Sequence, residues 1–271
     1  MGSATPRDFL ALDKGGGVEE LELVGNGLRV LLVENRFVPV VAVCVVYHVG
    51  SRHEVSGQTG ATHLLEHLLF KGSASFNADN GRPIARVMER VGAAFNATTW
   101  LDRTNYYETL PVEHLDLALA VEADRMRGAL LREEDLATEL TVVRNELERG
   151  ENDPFEVLLK DSFATAYREH PYRHPTIGWR HDVENTTIAT LRAFYDTFYY
   201  PDNATLVVVG AFNRKALLGR IAHHFGSLPR AGRPIPRAVT QESPQQGERR
   251  FKIRRRGEVG WVGLTWHVPP A

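Results

Sequence analysis

The sequence predicts an α+β fold in which helices cover a sheet. Three observations carry that expectation. Strand-like runs open the chain, 3.6-residue periodicity dominates its middle, and one aliphatic run, Thr205–Val209, returns between two helical segments. With 271 residues, 43% hydrophobic and 24% charged, the chain has the composition of a globular protein with a sizeable core. Its length allows one large domain or two small ones.

Glu20–Val24 alternates, Leu28–Glu34 is rich in aliphatic residues, and Gly25-Asn26-Gly27 between them tolerates the positive φ of a hairpin turn. Val40–His48 is nearly continuous in apolar residues, which suits a central strand covered on both faces. Ala61–Lys71 sets Leu64, Leu65, Leu68 and Leu69 on one side of a helix, with Gly72 as its stop. Pro83–Val91 is a second helix, and Ala94–Thr99 with Thr104–Leu110 forms a hairpin around Leu101-Asp102. Val112–Met126, Glu133–Arg149 and Pro154–Glu169 are helical, the last with proline in its first turn. Thr187–Tyr200 and Asn213–Phe225 are helices on either side of the Thr205–Val209 strand, and Gly226 ends the second.

Several function classes fall away on composition. Lys and Arg number 32 against 34 Asp and Glu, so the chain lacks the basic excess of a dedicated nucleic-acid binder. Its longest uncharged apolar run, Phe37 to Tyr47, is far short of the roughly 20 residues of a membrane-spanning helix. The single cysteine, Cys44, has no partner for an internal disulfide and reads as a small buried hydrophobe of the central strand. Met1 to Gly17 has no apolar core of a secretory signal, and the compartment stays open between cytoplasmic and periplasmic.

The chemistry concentrates in His63-Leu64-Leu65-Glu66-His67. On a helix, residues four apart share a face, so both imidazoles can reach one ion, with Glu66 beside them. Zinc takes nitrogen and oxygen ligands and, in catalytic sites, leaves a position for water. The order H-x-x-E-H is a signature of zinc peptidases. Leucines and Phe70 make most of this helix apolar, and metal ligation would satisfy two imidazoles that burial would otherwise leave short of partners. For a third protein ligand, the helix Glu133–Arg149 offers Glu139 and Glu146, two turns apart on one face. Spacing alone does not choose between them.

Four separated stretches, in order, resemble the pitrilysin family of zinc metallopeptidases, which includes insulin-degrading enzyme and the mitochondrial processing peptidase. They are Val49–Ser73, Phe95–Pro111, Glu139–Glu148 and His170–Gly178. The resemblance implies that His63, His67 and Glu146 ligate one Zn2+ per chain, that Glu66 is the general base activating the zinc-bound water, and that Glu139 is a supporting acid. It implies that Phe95–Thr98 is an edge strand to which a peptide substrate adds as a further strand, with Asn96 and Ala97 as contacts. The fold it implies is a mixed, mostly antiparallel sheet forming one half of a clamshell. The other half follows in the chain or comes from a partner subunit, and a homo-oligomer is one way to supply it.

Domain boundaries follow from composition. Residues 1–17 read as a tail and 18–228 as the zinc-peptidase domain. The proline-rich stretch 229–248 reads as a linker, and 249–271, with strand-like Arg250–Arg256 and Val259–Val268, as the first strands of an incomplete second domain. His223-His224 point apart on their helix, and His170 and His174 read as satisfied loop residues. Arg254-Arg255-Arg256 reads as a solvated strand end.

Overall fold

A computed structural model describes residues 7–268. Seven strands form one sheet in the order β1-β2-β3-β7-β4-β6-β5. They are β1 Phe9–Gly15, β2 Val18–Leu23, β3 Leu28–Glu34, β4 Val40–Tyr47, β5 Ala94–Thr99, β6 Thr104–Pro111 and β7 Ala204–Gly210. All neighbours run antiparallel except β3 and β7, so the sheet is mixed and mostly antiparallel. The helices are α1 Ala61–Leu68, α2 Ile84–Arg90, α3 Leu115–Gly128, α4 Glu133–Asn152, α5 Pro154–Ala166, α6 Arg180–Glu184, α7 Ile188–Phe198 and α8 Arg214–Phe225.

The hairpin β2–β3 closes where the glycines predict, with Gly27 at φ 77°. Asn26 is buried in that turn, donating to the carbonyls of Phe225 (2.7 Å) and Leu228 (3.2 Å) and so tying the hairpin to the end of α8. On β4, Val41, Val43, Val45 and Tyr47 are fully buried on the face where α3 packs, along with Tyr106 and Leu110 of β6.

Several expectations need correction. The opposite face of β4 is not covered: Val40, Ala42, Cys44 and Val46 stay half-buried, with Tyr107 and Val209 exposed beside them. Apolarity on both faces signals a central position between two strands, and it does not require helices on both sides. Cys44 is accordingly half-buried, and burial with the nearby acids Glu122 and Glu108 still pushes its thiol up to about 11. The supposed tail contains β1, an edge strand whose side chains are mostly exposed, so it carries little inward periodicity. Residues 1–6 of that segment lie outside the described residues. Helix α1 ends at Leu68, and Phe70 and Lys71 bond back to His67 and Leu68 in a tighter final turn. Helix α6 is too short for periodicity to reveal.

Residues 229–268 contain neither helix nor strand, so the strand-like runs 250–256 and 259–268 form no ladder among the described residues, and 269–271 lie outside them. A strand needs a neighbour to accept its backbone hydrogen bonds. This segment lies against α5 instead, with Trp261 on Phe155 at 5.6 Å, and Trp266, Val262 and Leu264 remain exposed. The stretch 229–248 is also anchored: Glu242 accepts from the backbone N–H groups of Arg168, Glu169 and His170.

Candidate metal centre

Helix α1 begins at Gly60, whose φ of 88° suits glycine, and a Cβ there would meet the Ile177 carbonyl oxygen at 2.6 Å. Gly178, at φ 87°, backs onto it: its Cβ would lie 2.5 Å from the Thr59 carbonyl oxygen. The helix has no side-chain cap of its own. Glu54, buried, takes that role, accepting from Gly60 N–H (2.9 Å), Thr62 N–H (2.8 Å) and the Thr62 hydroxyl (2.7 Å). Burial pushes its carboxyl up to about 7, against the pull of these donors. Leu64, Leu65 and Leu68 then fix the helix on the core, which leaves His63, Glu66 and His67 on its half-buried face.

Helix α4 packs on α1 with Leu136, Val143 and Leu147 buried, and its seven-residue spacing brings both Glu139 and Glu146 to α1. Glu146 Oε2 lies 3.6 Å from His63 Nε2 and 3.9 Å from His67 Nε2. The three ligand atoms fall within 4.8 Å of one another, and among the described residues no other cluster of this kind occurs. Zinc bonds of about 2.0–2.1 Å in tetrahedral array set ligand atoms roughly 3.3–3.5 Å apart, so the two carboxylate–imidazole separations fit zinc with a slight contraction. Glu139 accepts from His67 Nδ1 at 2.8 Å, leaving Nε2 as the nitrogen turned to Glu146. Its other oxygen pairs with the Lys71 ammonium. Burial opposes ionisation of Glu139, but Lys71 and His67 outweigh it and hold the carboxyl below its ordinary range. Burial, with His67 beside it, pushes His63 down to about 4, so its ring is neutral, the form that ligates a metal.

Glu66 points from the same face and accepts from the Thr99 hydroxyl at the end of β5. Burial raises its pKa, opposed by that hydrogen bond. Strand β5 pairs with β6 on one side and is the edge of the sheet on the other. Asn96 is exposed on it, Ala97 is buried, and Asn96 Oδ1 accepts from Ala97 N–H at 2.9 Å. A cleft of about 480 Å³ opens beside Glu146, lined by Trp100, Leu101, Leu147, Val157, Phe163 and Tyr172 among others.

The five residues of the expected metal and acid set therefore converge, while Asn96 and Ala97 lie along the adjoining edge. Sequence reasoning did not single out Lys71, Thr99 or Glu54. Lys71 carried one signal, its four-residue spacing from His67, and Thr99 and Glu54 carried none outside the segments of resemblance. The other candidates stay apart from the centre. His174 is buried near Glu54 (3.7 Å), and His170 accepts from Tyr172 N–H at 3.2 Å. His224 pairs with Asp116 at 3.1 Å, and Arg254–Arg256 lie outside any strand.

Comparison with known proteins points the same way. The family described as Insulinase (Peptidase family M16) matches residues 29–179, and the Peptidase M16 inactive domain matches 185–271. The chain is 34% identical over 249 residues to the zinc protease PqqE of Helicobacter pylori, covering 90% of this chain and 55% of that protein. It is 31% identical over 208 residues to the uncharacterized zinc protease YmxG of Bacillus subtilis, covering 77% and 50%. The chain thus spans about half the length of the curated relatives it matches. Among solved structures, a protease from Helicobacter pylori superposes with a TM-score of 0.81 at 34% identity, over 86% of this chain and 55% of that one. The first half of the periplasmic protease PqqL from Escherichia coli shares the fold, with a TM-score of 0.76 at 24% identity over 87% and 51%.

Proposed function

The chain belongs to the insulinase-type peptidase family M16, and from that premise we propose that it is a zinc-dependent metalloendopeptidase acting on short or unfolded polypeptides. One observation carries the reading: His63, His67 and Glu146 converge while Glu66 stands beside them on the same helix. These three would hold one zinc per chain, which when bound supplies a Lewis acid and an acidified water. Glu66 accepts the proton of the attacking water and delivers it to the leaving amine, and Thr99 holds one of its carboxyl oxygens in place meanwhile. Partial burial makes Glu66 a stronger base than an exposed carboxylate. The free edge of β5, at Asn96 and Ala97, takes the substrate backbone as an added strand, which suits extended polypeptides of varied sequence. The cleft beside Glu146 takes side chains of that strand.

A second element of the reading concerns the other half. The matched relatives are about twice as long, and the apolar side chains of Val259–Val268 remain exposed. We propose that the sheet and its helices, from β1 to α8, form the metal-binding half and 229–248 a connector. On this reading 249–271 belong to a second homologous half, C-terminal or on a partner subunit. Cleavage then requires that half, whereas zinc binding does not.

Elemental analysis of the purified chain tests the metal, with one zinc per chain expected. Peptide cleavage, assayed with the second half supplied, should fall by about 10²–10⁴-fold in Glu66→Gln with zinc retained. Equal cleavage by parent and variant overturns the mechanism, and robust cleavage by the isolated chain at monomeric mass overturns the need for a second half.

A further inference from the structure

We propose that Lys71 is a positioning residue of the metal centre, holding Glu139 so that Glu139 in turn holds the ring of His67. The inference rests on the reading that this site binds zinc. Its basis is a chain of three side chains in which each carboxylate oxygen has one task. Oε2 of Glu139 meets His67 Nδ1 at 2.8 Å, and Oε1 pairs with the Lys71 ammonium. His67 lies in the last turn of α1 and Lys71 in the tighter turn just past its end at Leu68, and Glu139 reaches both from α4.

The bland alternative is a surface ion pair, which contributes little. Burial argues against it. Glu139 is 5% exposed, so loss of Lys71 would leave one carboxylate oxygen in the interior short of a donor. The carboxylate could then rotate, and the constraint on His67 would loosen. The neighbouring ligand shows what that constraint adds. His63 Nδ1 is buried with no hydrogen-bond partner, so no group holds that ring from behind. Of the two imidazoles, His67 is the one whose Nδ1 is hydrogen-bonded to α4, and Lys71 holds the carboxylate that makes the bond.

Groups behind a ligating histidine commonly change metal affinity by about 10–100-fold when removed. Lys71 acts one bond further out, so the lower end applies. In the full chain, zinc affinity is measured by competition with a chromophoric chelator, alongside the thermal midpoint without metal. Lys71→Met is expected to bind zinc about tenfold more weakly, and Lys71→Arg to restore affinity to within about threefold of the parent. On a Glu139→Gln background, Lys71→Met should cause no further loss, because the effect passes through Glu139. Should Lys71→Met fail to fold, Lys71→Gln carries the same expectation. Zinc bound by Lys71→Met as tightly as by the parent, or an additive loss on the Glu139→Gln background, overturns the inference. A lowered midpoint with unchanged affinity would make Lys71 a structural residue only, which also overturns it. A parent chain that binds no zinc overturns the metal reading itself, and the inference with it.

Discussion

Two clusters of charged side chains are built on opposite plans. At the metal centre, Glu139 stands between His67 and Lys71, and each of its oxygens has a donor. Between β6 and α3, Arg125 faces two acids, Glu122 and Glu108, and all three are sealed from solvent. Glu122 takes the guanidinium at close range, with Arg125 Nε at 3.0 Å, whereas Glu108 lies 3.8 Å from Arg125 Nη2 and neither of its oxygens has a hydrogen-bond partner. Burial, reinforced by the Glu122 charge, raises Glu108 well above the ordinary carboxylate range. Arg125 also lies over the Tyr106 ring, 4.4 Å from its centroid. The difference separates two uses of buried charge. The first cluster orients a side chain toward an open position, and the second seals a helix's cation and a strand's acid away from solvent.

That contrast can be broken most severely at Arg125. Arg125→Met leaves Glu122 buried without its cation, and the expected loss is about 3–5 kcal/mol of stability in urea unfolding. Zinc affinity of the folded fraction should stay unchanged. A loss below about 1 kcal/mol would mean that water reaches the cluster.

Glu108 gives the next largest effect and a sign. Its folded pKa is raised above the ordinary 4.5, so the folded state keeps a proton that the unfolded chain releases as pH rises. Parent stability should therefore fall above pH 4.5 by up to about 1.4 kcal/mol per pH unit, until Glu108 ionises in the folded state. Glu108→Gln lacks that term. It should be more stable than the parent at pH 8, with the gap closing towards pH 4.5 in denaturant titrations. A gap independent of pH would refute a protonated Glu108.

At the metal centre, Glu139→Gln should weaken zinc binding by about 10–100-fold and shift the urea midpoint little, the reverse of Arg125→Met. The smallest effect belongs to Glu242. Burial opposes ionisation, but three backbone N–H groups and Arg249 outweigh it and hold its pKa down to about 2. A depressed carboxyl contributes stability above its unfolded pKa and loses it as pH falls through the folded value, between 4.5 and about 2. Glu242→Gln should flatten acid unfolding in that window by less than about 1 kcal/mol, since the site lies near the surface.

Much of this arrangement was legible because the information was local. The strand Leu28–Glu34 and the starts of α1, α4 and α5 follow from aliphatic runs and turn residues, and the histidine pair from a five-residue motif. Glu146 needed the resemblance, since helical spacing offered Glu139 equally and the contact that separates them crosses from α4 to α1. Strand β1 was missed because an exposed edge strand has no inward face to pattern. The uncovered side of β4 was misread because an apolar run shows what surrounds a strand in the sheet and not what covers it. Glu54 and Thr99 act through the tertiary fold, capping or bonding groups that other elements bring to them.

Strand β7 decides when the sheet exists at all. It lies parallel to β3 and antiparallel to β4, although residues 35–39 alone link those two in sequence. Without residues 204–210 the native ladders divide into two three-stranded sets, β1–β2–β3 and β4–β6–β5, and the histidine helix lies in sequence within the second. Joining them late closes a long loop, and that entropy is overcome only when both new ladders form together. A ribosome therefore emits the metal ligands well before the frame that holds them, and this interval is where chaperones or proteases can intervene. Chains stalled before residue 204 should be cut rapidly by added protease, and chains extended past residue 225 should resist it.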